Sequence, residues 1–436
     1  MPYQLMQIKP GIVKDITKYS AGKNGPFWVD GDLVRFKNGY AEKIGGWLKE
    51  AYTRVDAAGN ITSTETALVG IARTMVLWRA ITDGEDRIAI GTHNHLYILE
   101  NDALYDITPL RKTTSNLTNP LKTTDESTTI IVTDNSHGAL SGDFVVINSA
   151  EAIGGITAAT LNQSEGYQIT VLTANTYSIT VSSAATSTVA AGGGTTIDIK
   201  YLIGVAAGLG QQSGDPALGW GTGSWGGSTW GTARSTDSSD VKLSNSQWSL
   251  NLWGEDLIAT VRGGAIYYYD TSSAGRAVLV SSLAGATSVP TTTTLTTISF
   301  PDRHVLALGT DPLSSSGNID PMQVRWSDQE DFAVWAPTVT NTAGDQRLEV
   351  GTKIVSATTS KDETVIATDE ALYGMTFVGP PFIFSFRLLA TNCGSAGKNV
   401  MMTVDSTVFW MGRSNFFVYD GIVKELPCSV QHFVFE

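Results

Sequence analysis

The sequence repeats one hairpin layout five times, and this repetition limits the possible folds more than any other feature. Each copy has an acidic turn, an apolar strand, a short polar turn and a second strand rich in Tyr, Phe and Trp. The copies are DGEDRIAIGTHNHLYILE, LWGEDLIATVRGGAIYYYD, FPDRHVLALGTDP with MQVRWSDQEDFAVWAP, SKDETVIATDEALYGMTF and TVDSTVFWMGRSNFFVYDG.

The spacing of these copies indicates the architecture. The apolar strand is centred on Ala89, Ala259, Ala307 and Ala367 in the first four copies, and Phe409 takes that place in the fifth. The last three intervals are about 40 to about 60 residues long, the size of a four-stranded propeller blade. We therefore predict an all-β fold, a β-propeller of five or six blades.

The much longer interval between the first two copies indicates an insertion. Residues 112–200 are rich in Thr and Ser, nearly free of aromatic residues, and alternate apolar with polar residues between turn signals. This pattern predicts a small inserted β-barrel or sandwich module. The predicted domains are residues 1–111 (N-terminal closing strands and first blade), 112–200 (inserted module), 201–240 (Gly/Trp-rich linker) and 241–436 (remaining blades).

Both ends of the sequence carry strand signals. Near the N-terminus, Asn38-Gly39 lies between apolar segments and predicts a hairpin with its first strand over residues 33–36. The last residues, QHFVFE, also read as strand. We expect either that N-terminal strands complete the last blade or that this sequence stops short of a full propeller.

Charge and cysteine content exclude several classes of protein. The formal net charge is −13 with no cluster of Lys or Arg, which is unfavourable for tight nucleic-acid binding. Two cysteines cannot form a disulfide framework, so we expect synthesis in a reducing cytosol. The sequence shows neither a secretory signal nor an apolar segment long enough to span a membrane.

One loop, GWGTGSWGGSTWG at residues 219–231, is unusual for a linker. It places Trp220, Trp225 and Trp230 five residues apart, a spacing that fits neither one face of a strand nor one face of a helix. Exposed tryptophans are costly, so the three side chains are expected to pack on the propeller, on the inserted module or on a neighbouring subunit. We interpret them as docking or interface residues.

Two groups of residues could carry hydrolytic or metal chemistry. Asp328, Glu330 and Asp331 could be the paired carboxylates of a glycosidase, or a solvated β-turn between packed tryptophans. His93 and His95 could be metal ligands, or part of a polar turn. We expect the remaining histidines, His137, His304 and His432, to have no second metal-ligating residue near them in the sequence.

Other candidates also favour structural interpretations. Gly397-Lys398 resembles part of a phosphate loop, but Asn392 replaces its leading glycine and Asn399 its Ser/Thr. Cys393 and Cys428 lack a nearby base. The aromatic residues could form a carbohydrate platform, but are more typical of packing between blades: Tyr267, Tyr268, Tyr269, Trp410, Phe416, Phe417 and Tyr419. We therefore expect no catalytic, cofactor-binding or metal-binding residues, and a protein that is not an enzyme.

Several long aromatic phrases resemble a known family. These phrases are similar to segments of short-tailed bacteriophage nozzle proteins. They are PGI, DITKYSAG and WVDGDLVRFKNGYAEKIGGW near the N-terminus, the Gly/Trp loop, WGEDLIATVRGGAIYYYD, RWSDQEDFAVW, NTAGDQRLEVGTKIVSA, VIATDEALYGMTFVGPPFIFSF and VFWMGRSNFFVYDGIVKELPC. These proteins are also called tail tubular protein B or tail stabilisation proteins. The resemblance covers nearly all of the sequence outside the insertion, although family chains usually continue past the position of Glu436.

The resemblance implies a non-enzymatic virion protein, assembled in the host cytoplasm. It implies a homohexameric ring at the distal end of the tail tube, bound to a tail adaptor and to fibre or needle proteins, with viral DNA passing through its lumen. It also implies that the inserted module is a platform around the propeller. A receptor- or glycan-binding propeller at the host cell surface is the main alternative, and a propeller glycoside hydrolase is a further one.

Overall fold

The structure of the chain is a computed structural model that describes residues 9–14, 27–45, 52–55, 61–66, 68–93, 95–139, 141, 143–163, 166–203, 247–273, 275–361, 363–428 and 430–435. These residues form strands almost throughout, which confirms the all-β prediction. They contain two short α-helices, α1 (Ala158–Leu161) and α2 (Gln431–Phe435), and two 3-10 helices (Val280–Ser282 and Lys398–Val400). The chain divides into a terminal unit, Met1–Glu50 with Thr297–Glu436, and a central unit, Ala51–Thr296.

The N-terminal strands form two small sheets. Strands β1 (Lys9–Ile12) and β2 (Phe27–Trp28) pair in parallel, and β3 (Val34–Lys37) and β4 (Tyr40–Lys43) pair antiparallel. Asn38 and Gly39 connect the second pair with φ of 52° and 84°, which is the backbone geometry that favours Asn-Gly in a two-residue hairpin loop. The predicted hairpin is confirmed, but it forms its own two-stranded sheet rather than part of a four-stranded one.

The first sheet of the central unit has six strands. In chain order they are β5 (Tyr52–Val55), β6 (Ile61–Thr66), β7 (Ala72–Arg79), β8 (Asp86–Thr92), β9 (Leu96–Glu100) and β10 (Ala103–Asp106). Strands β7 to β10 form an antiparallel meander, called meander 1 here, which contains the first sequence repeat. Strand β5 joins β10 in parallel, so the β5–β6 hairpin extends this sheet.

The inserted residues fold into two sheets around one core. The strands are β11 (Leu110–Leu117), β12 (Leu121–Thr123), β13 (Thr129–Thr133), β14 (Phe144–Asn148), β15 (Tyr167–Gln168), β16 (Thr170–Thr173), β17 (Thr176–Thr180), β18 (Val189–Gly192) and β19 (Ile197–Leu202). Four of them form the sheet β11-β19-β14-β15 and five form β16-β17-β13-β12-β18. Buried Ile, Val, Leu and Tyr side chains from both sheets share one cluster. The described strands are thus a sandwich rather than a closed barrel.

Four further meanders follow, each made of four consecutive strands. Meander 2 consists of β20 (Trp248–Trp253), β21 (Asp256–Val261), β22 (Ile266–Tyr269) and β23 (Val278–Leu279). Meander 3 consists of β24 (Thr293–Ile298), β25 (Val305–Thr310), β26 (Asp320–Trp326) and β27 (Gly344–Arg347). Meander 4 consists of β28 (Ile354–Thr359), β29 (Thr364–Thr368), β30 (Ala371–Gly379) and β31 (Ile383–Thr391), and meander 5 of β32 (Met401–Val404), β33 (Thr407–Met411), β34 (Phe416–Tyr419) and β35 (Val423–Leu426). Sequential four-stranded meanders are the sheet type of propeller blades. The number of blades and their radial arrangement stay predictions.

The marker alanines explain how neighbouring meanders pack. Ala89, Ala259, Ala307 and Ala367 lie on the second strand of their meanders and are fully buried. A small side chain at this position lets an adjacent sheet approach closely. Phe409, which takes this place in the fifth copy, lies in the middle of β33 and is half-buried, whereas its neighbours Val408 and Trp410 face the cluster shared with meander 4. A one-residue offset reverses the face of a strand residue.

Each unit contains an apolar cluster shared by two meanders. In the central unit, Trp78, Leu96 and Ile98 of meander 1 pack with Trp248 and Leu257 of meander 2. In the terminal unit, buried residues of meanders 4 and 5 pack together: Val365, Ala367, Leu372, Val408, Trp410, Phe417 and Tyr419. The first strands of the paired meanders, β7 with β20 and β28 with β32, are in contact.

The last residues differ from the sequence-based expectation. Gln431–Phe435 form helix α2 rather than a strand. Phe435 packs on Phe416, with ring centroids 5.2 Å apart. This tertiary contact outweighs the strand propensity of a short apolar run. Among the described residues, no helix is both long enough and apolar enough to cross a bilayer.

Candidate functional site

Side-chain hydrogen bonds link the first strands of successive meanders. In the central unit, Thr74 donates from Oγ1 to the carbonyl of Trp248 over 3.0 Å, and Asn251 donates from Nδ2 to the carbonyl of Thr296 over 3.0 Å. In the terminal unit, comparable bonds join Thr359 to the Ile298 carbonyl over 2.8 Å and the hydroxyls of Thr358 and Thr403 over 3.0 Å. These bonds are called the clasps below. They satisfy polar groups while fixing the position of each first strand.

The first strands carry little charge. Strands β20, β24, β28 and β32 contain no acidic or basic residue, and β7 contains Arg73 and Arg79. The net charge of −13 is therefore not carried by these strands. Any surface that repels phosphate groups has to be built from other elements.

The candidate carboxylates of residues 328–331 hold a turn. Asp328 accepts three hydrogen bonds at Oδ1, from the Gln329 amide over 2.9 Å, the Thr342 amide over 2.8 Å and the Thr342 hydroxyl over 2.7 Å. Burial opposes ionisation of Asp328, but these donors lower its pKa below the usual value. Glu330 forms an ion pair with Arg303 over 2.8 Å, and Asp331 accepts from the Ala333 amide over 2.9 Å. All three carboxylates thus have structural partners.

A buried histidine lies next to this turn. His304 is fully buried and its Nδ1 lies 2.7 Å from Asp302 Oδ2, which also accepts from the Ser299 hydroxyl over 2.7 Å. His304 Nε2 lies 3.0 Å from Thr342 Oγ1. Because that hydroxyl donates to Asp328 and accepts from the Gln329 amide, it has a lone pair left for His304 but no further proton. Both ring nitrogens of His304 therefore have polar partners within the protein.

This network connects three elements rather than presenting a reactive group. Burial opposes ionisation of Asp302, but hydrogen bonds from His304 and Ser299 lower its pKa. A carboxylate, an imidazole and a hydroxyl in sequence also occur in nucleophilic catalysis. Here the hydroxyl proton of Thr342 is already committed to Asp328, so the arrangement favours a structural tie.

The sequence interpretation missed the contact between His304 and Asp302. Asp302 lies two residues before it, and the Asp-x-His spacing was the available signal. The ring of His304 also contacts Phe377 and Phe384, with centroids 5.5 and 5.0 Å away. These aromatic partners come from meander 4, more than seventy residues further along the chain, and could not have been predicted from local sequence.

The two histidines of the first repeat lie at the turn between β8 and β9. His93 Nδ1 accepts a hydrogen bond from the Ile71 amide over 2.9 Å, and burial together with the charge of Arg73 lowers its pKa. His95 is buried and stacks on Tyr97 with centroids 5.5 Å apart. Within the described part of the chain, no group of three His, Cys, Asp or Glu residues is arranged to hold a metal ion.

The cysteines and the aromatic runs take mostly structural positions. Burial raises the pKa of the Cys393 thiol to about 11, and its carbonyl accepts a bond from Trp410 Nε1 over 2.8 Å. Cys428 is half-buried. Tyr267 lies in the cluster between meanders 1 and 2, and Trp410 in that between meanders 4 and 5. Packing between sheets, rather than an exposed aromatic platform, is the observed role of these side chains.

The loop resembling a phosphate loop borders an open polar cleft. The amides of Cys393, Ser395 and Ala396 donate to carbonyls of the protein itself, so they do not converge on an anion. Beside this loop, a cleft of about 380 Å³ is lined by Asp369, Glu370, Asn392, Arg413 and Asn415, among others. Hydrogen bonds hold Asp369 and Asn415 in place, while Glu370, Asn392 and Arg413 are exposed. The cleft can offer both charges and amide groups to a polar ligand.

A largely buried ion pair joins meander 1 to meander 2 close to the point where the chain enters the sandwich. Arg276 donates from Nη2 to Asp106 Oδ2 and from Nη1 to the Thr108 carbonyl, both over 2.8 Å. Burial opposes ionisation of Asp106, but the charges of Arg276 and His95 and the hydrogen bonds of Thr108 lower its pKa. The Ala277 amide also donates to the Ile107 carbonyl over 3.0 Å. These contacts are called the junction below.

Two further contacts strengthen the junction. The Ile203 amide donates to the Pro109 carbonyl over 3.1 Å, which ties together the two chain segments that enter and leave the sandwich. Phe144 of the sandwich packs edge-on against His95 of meander 1, with ring centroids 6.0 Å apart. At the junction, the sandwich is thus held by a backbone bond at its base and by an aromatic contact with meander 1.

The Gly/Trp loop with Trp220, Trp225 and Trp230 lies outside the described residues. Its role in docking, within one subunit or between two, therefore stays a prediction.

The sequence matches no protein-family model and no curated protein. Among solved structures, the phage phi92 endosialidase matches with 11% identity and a TM-score of 0.24, covering 78% of this chain and 51% of the endosialidase chain. The chain thus spans about half the length of that protein. A likeness this low carries no argument about the fold or function of this chain.

Proposed function

We propose that this chain is a structural protein of a short phage tail, of the nozzle type. Six copies would form a ring at the distal end of the tail tube, with the viral DNA passing through the ring. The ring would bind a tail adaptor on one side and fibre or needle proteins on the other. Assembly would take place in the host cytoplasm.

The observation that carries this proposal is the set of contacts at the junction. The Asp106–Arg276 ion pair joins meanders 1 and 2, and the Ile203–Pro109 backbone bond and the contact of Phe144 with His95 hold the sandwich beside them. A platform held against the meanders suits a part of a DNA conduit that binds several neighbours. The long aromatic phrases that resemble nozzle proteins, including GWGTGSWGGSTWG, agree with it.

The acidic composition also supports a conduit. With a net charge of −13, the assembled protein would have little affinity for phosphate groups, because affinity for nucleic acid depends on neutralising them. DNA could then slide past without being retained.

Light scattering tests the proposed assembly. The purified chain is measured alone and mixed with the tail adaptor from the same virion, beside a variant with Trp225→Ala and Trp230→Ala. A species with the mass of six copies, alone or on the adaptor, is the expected result, and a weaker assembly of the variant would place the tryptophans at a subunit contact. A chain that stays monomeric in both conditions contradicts the proposal.

The polar cleft supports a second candidate, a receptor- or glycan-binding protein of the tail tip. Its volume of about 380 Å³ suits one or two sugar units, and Glu370, Asn392 and Arg413 could hydrogen-bond sugar hydroxyls. Binding of the isolated chain to a glycan array, lost in Arg413→Ala, would favour this function. Equal glycan signals for the wild type and this variant would exclude the cleft as the binding site.

A further inference from the structure

The terminal unit carries an exposed apolar hairpin tip. Strands β30 and β31 have nine residues each and are the longest described strands. Their connection, Gly379-Pro380-Pro381-Phe382, leaves Phe382 79% exposed, and the adjacent Val378 is 53% exposed. Residues 375–386 include no charged side chain. Val378, Pro380, Pro381 and Phe382 are called the knob below.

The knob is held by a rigid base. Phe384 of β31 packs edge-on against Trp326 with ring centroids 5.3 Å apart, and Phe377 of β30 packs against Phe384 at 5.6 Å. Both also contact His304. The aromatic residues at the base of the hairpin are therefore used within the chain, whereas those of the knob face solvent. A preorganised apolar projection loses little entropy when it docks.

The same unit carries an open apolar groove. It has a volume of about 300 Å³ and is formed by the N-terminal strands, with Ile12, Trp28, Val34, Phe36 and Ala41 among its lining residues. Trp28 and Phe36 lie with their ring centroids 6.3 Å apart. A pair of two-stranded sheets is only marginally stable in water unless another element covers its apolar face.

We propose, on the basis of the nozzle-type assembly above, that the knob of one copy docks into the N-terminal groove of the next copy. The groove is large enough for one or two apolar side chains, and the knob presents Phe382 and Val378 as such a pair. The two surfaces are different, so the contact is head-to-tail. Contacts of this type generate closed rings or open filaments.

The charge distribution favours a second copy over a lipid bilayer as the occupant. Membrane-inserting apolar tips usually have basic residues beside them that attract anionic lipids. Residues 375–386 contain none, and the next residue, Arg387, forms an ion pair with Glu363. The net charge of −13 would further repel an anionic surface. The groove, by contrast, is lined by apolar residues together with Asp30, Glu42 and Lys43, a mixed composition that suits a protein interface.

The size of the contact sets its expected strength. Two apolar side chains bury on the order of 200–400 Å², well below the roughly 800 Å² per partner of a stable interface. The knob is therefore one part of a larger contact, and its effect should be greatest where ring closure links all copies.

Disulfide cross-linking between copies tests this contact. In a full-length Cys428→Ser background, one preparation carries Phe382→Cys and another carries Ala41→Cys. After mixing and mild oxidation, we expect a covalent dimer from the mixture that is absent from either preparation alone. A mixture of Ile422→Cys with Ala41→Cys is the control, since Ile422 is an apolar residue outside the knob that is 67% exposed; it should give no dimer.

A substitution series measures the contribution of the knob. Light scattering compares the wild type with Phe382→Ser and with the control Ile422→Ser, after circular dichroism has shown that both are folded. Loss of one buried Phe should weaken assembly about 10- to 100-fold for Phe382→Ser, while Ile422→Ser should assemble as the wild type does.

Three outcomes overturn the inference. If Phe382→Ser assembles fully and the specific cross-link does not form, the knob is not part of the interface. The proposed ring would not be affected by that result. A chain that never assembles, alone or on its adaptor, refutes both proposals. If the cross-link does not form, the chain sediments with anionic lipid vesicles and Phe382→Ser abolishes this sedimentation, the knob binds a bilayer instead.

Discussion

Asp328 shows at the scale of single residues how a candidate catalytic group is used structurally. Its Oδ1 accepts three hydrogen bonds, two of them from Thr342. The hydroxyl of Thr342 in turn bonds His304, which pairs with Asp302. One chain of polar contacts therefore connects the 328–331 turn to the start of β25.

Replacing this carboxylate should destabilise the terminal unit. Asp328→Ala leaves three donors without their acceptor, and we expect a loss of about 1–3 kcal/mol in the free energy of unfolding. Denaturant titration followed by tryptophan fluorescence measures it. The control is Glu330→Gln, whose side chain is 56% exposed; it should change stability by less than about 0.5 kcal/mol. Equal effects of the two substitutions would contradict the assigned role.

The pH dependence of the same pair of proteins gives a further test. The pKa of Asp328 is lowered in the folded state, so the unfolded chain takes up a proton at a higher pH than the folded one. The advantage of the wild type over Asp328→Ala should be complete above the unfolded pKa of about 3.9. It should decrease as the pH falls through the folded pKa. A difference that does not vary between pH 6 and pH 3 would show that charge is not involved.

At the scale of elements, the clasps join pairs of first strands within each unit. Asn251 bonds both the carbonyl and the hydroxyl of Thr296, over 3.0 and 3.2 Å. Asn251→Ala should lower stability by about 1–3 kcal/mol, because the acceptors of the buried residue Thr296 lose their donor. The matched control is Asn318→Ala, since Asn318 is exposed and bonds only locally, to Ser315 over 2.9 Å. A loss of stability from Asn318→Ala as large as that from Asn251→Ala would contradict the clasp.

The junction gives a second prediction at this scale. Arg276→Gln leaves the Asp106 carboxylate, whose side chain is 15% exposed, without its cation. We expect a loss of about 3 kcal/mol in the free energy of unfolding of the central unit. Arg347→Gln breaks an exposed ion pair with Asp320 and should cost less than about 1 kcal/mol. A small effect of Arg276→Gln would show that meanders 1 and 2 are joined mainly by other contacts.

The sequence predicted elements whose signals are local. The Asn38-Gly39 hairpin, the strands around the marker alanines and the all-β inserted module follow from turn chemistry and alternation of side chains. The clasps and the pairing of β5 with β10 depend on residues far apart in sequence, such as Thr74 and Trp248. The helix at Gln431–Phe435 was misjudged because its packing on Phe416 is a tertiary effect.

The candidate site was predictable only in part. The turn interpretation of residues 328–331 and the packing of Tyr267 and Trp410 between sheets are confirmed. The link from Asp302 through His304 to Thr342 needs three segments brought together by the fold. The groove and the knob likewise become visible only when exposure is known, because the exposed Phe382 and the buried Phe384 lie two residues apart in one phrase, FVGPPFIFSF.

At the scale of the whole molecule, the central claim is that copies of this chain assemble into a closed ring. Electron microscopy of the purified chain, alone and bound to its tail adaptor, tests this most directly. We predict particle averages with six-fold symmetry and a central opening wide enough for duplex DNA. Single particles with the mass of one chain under both conditions, or open filaments without a closed ring, would contradict the account.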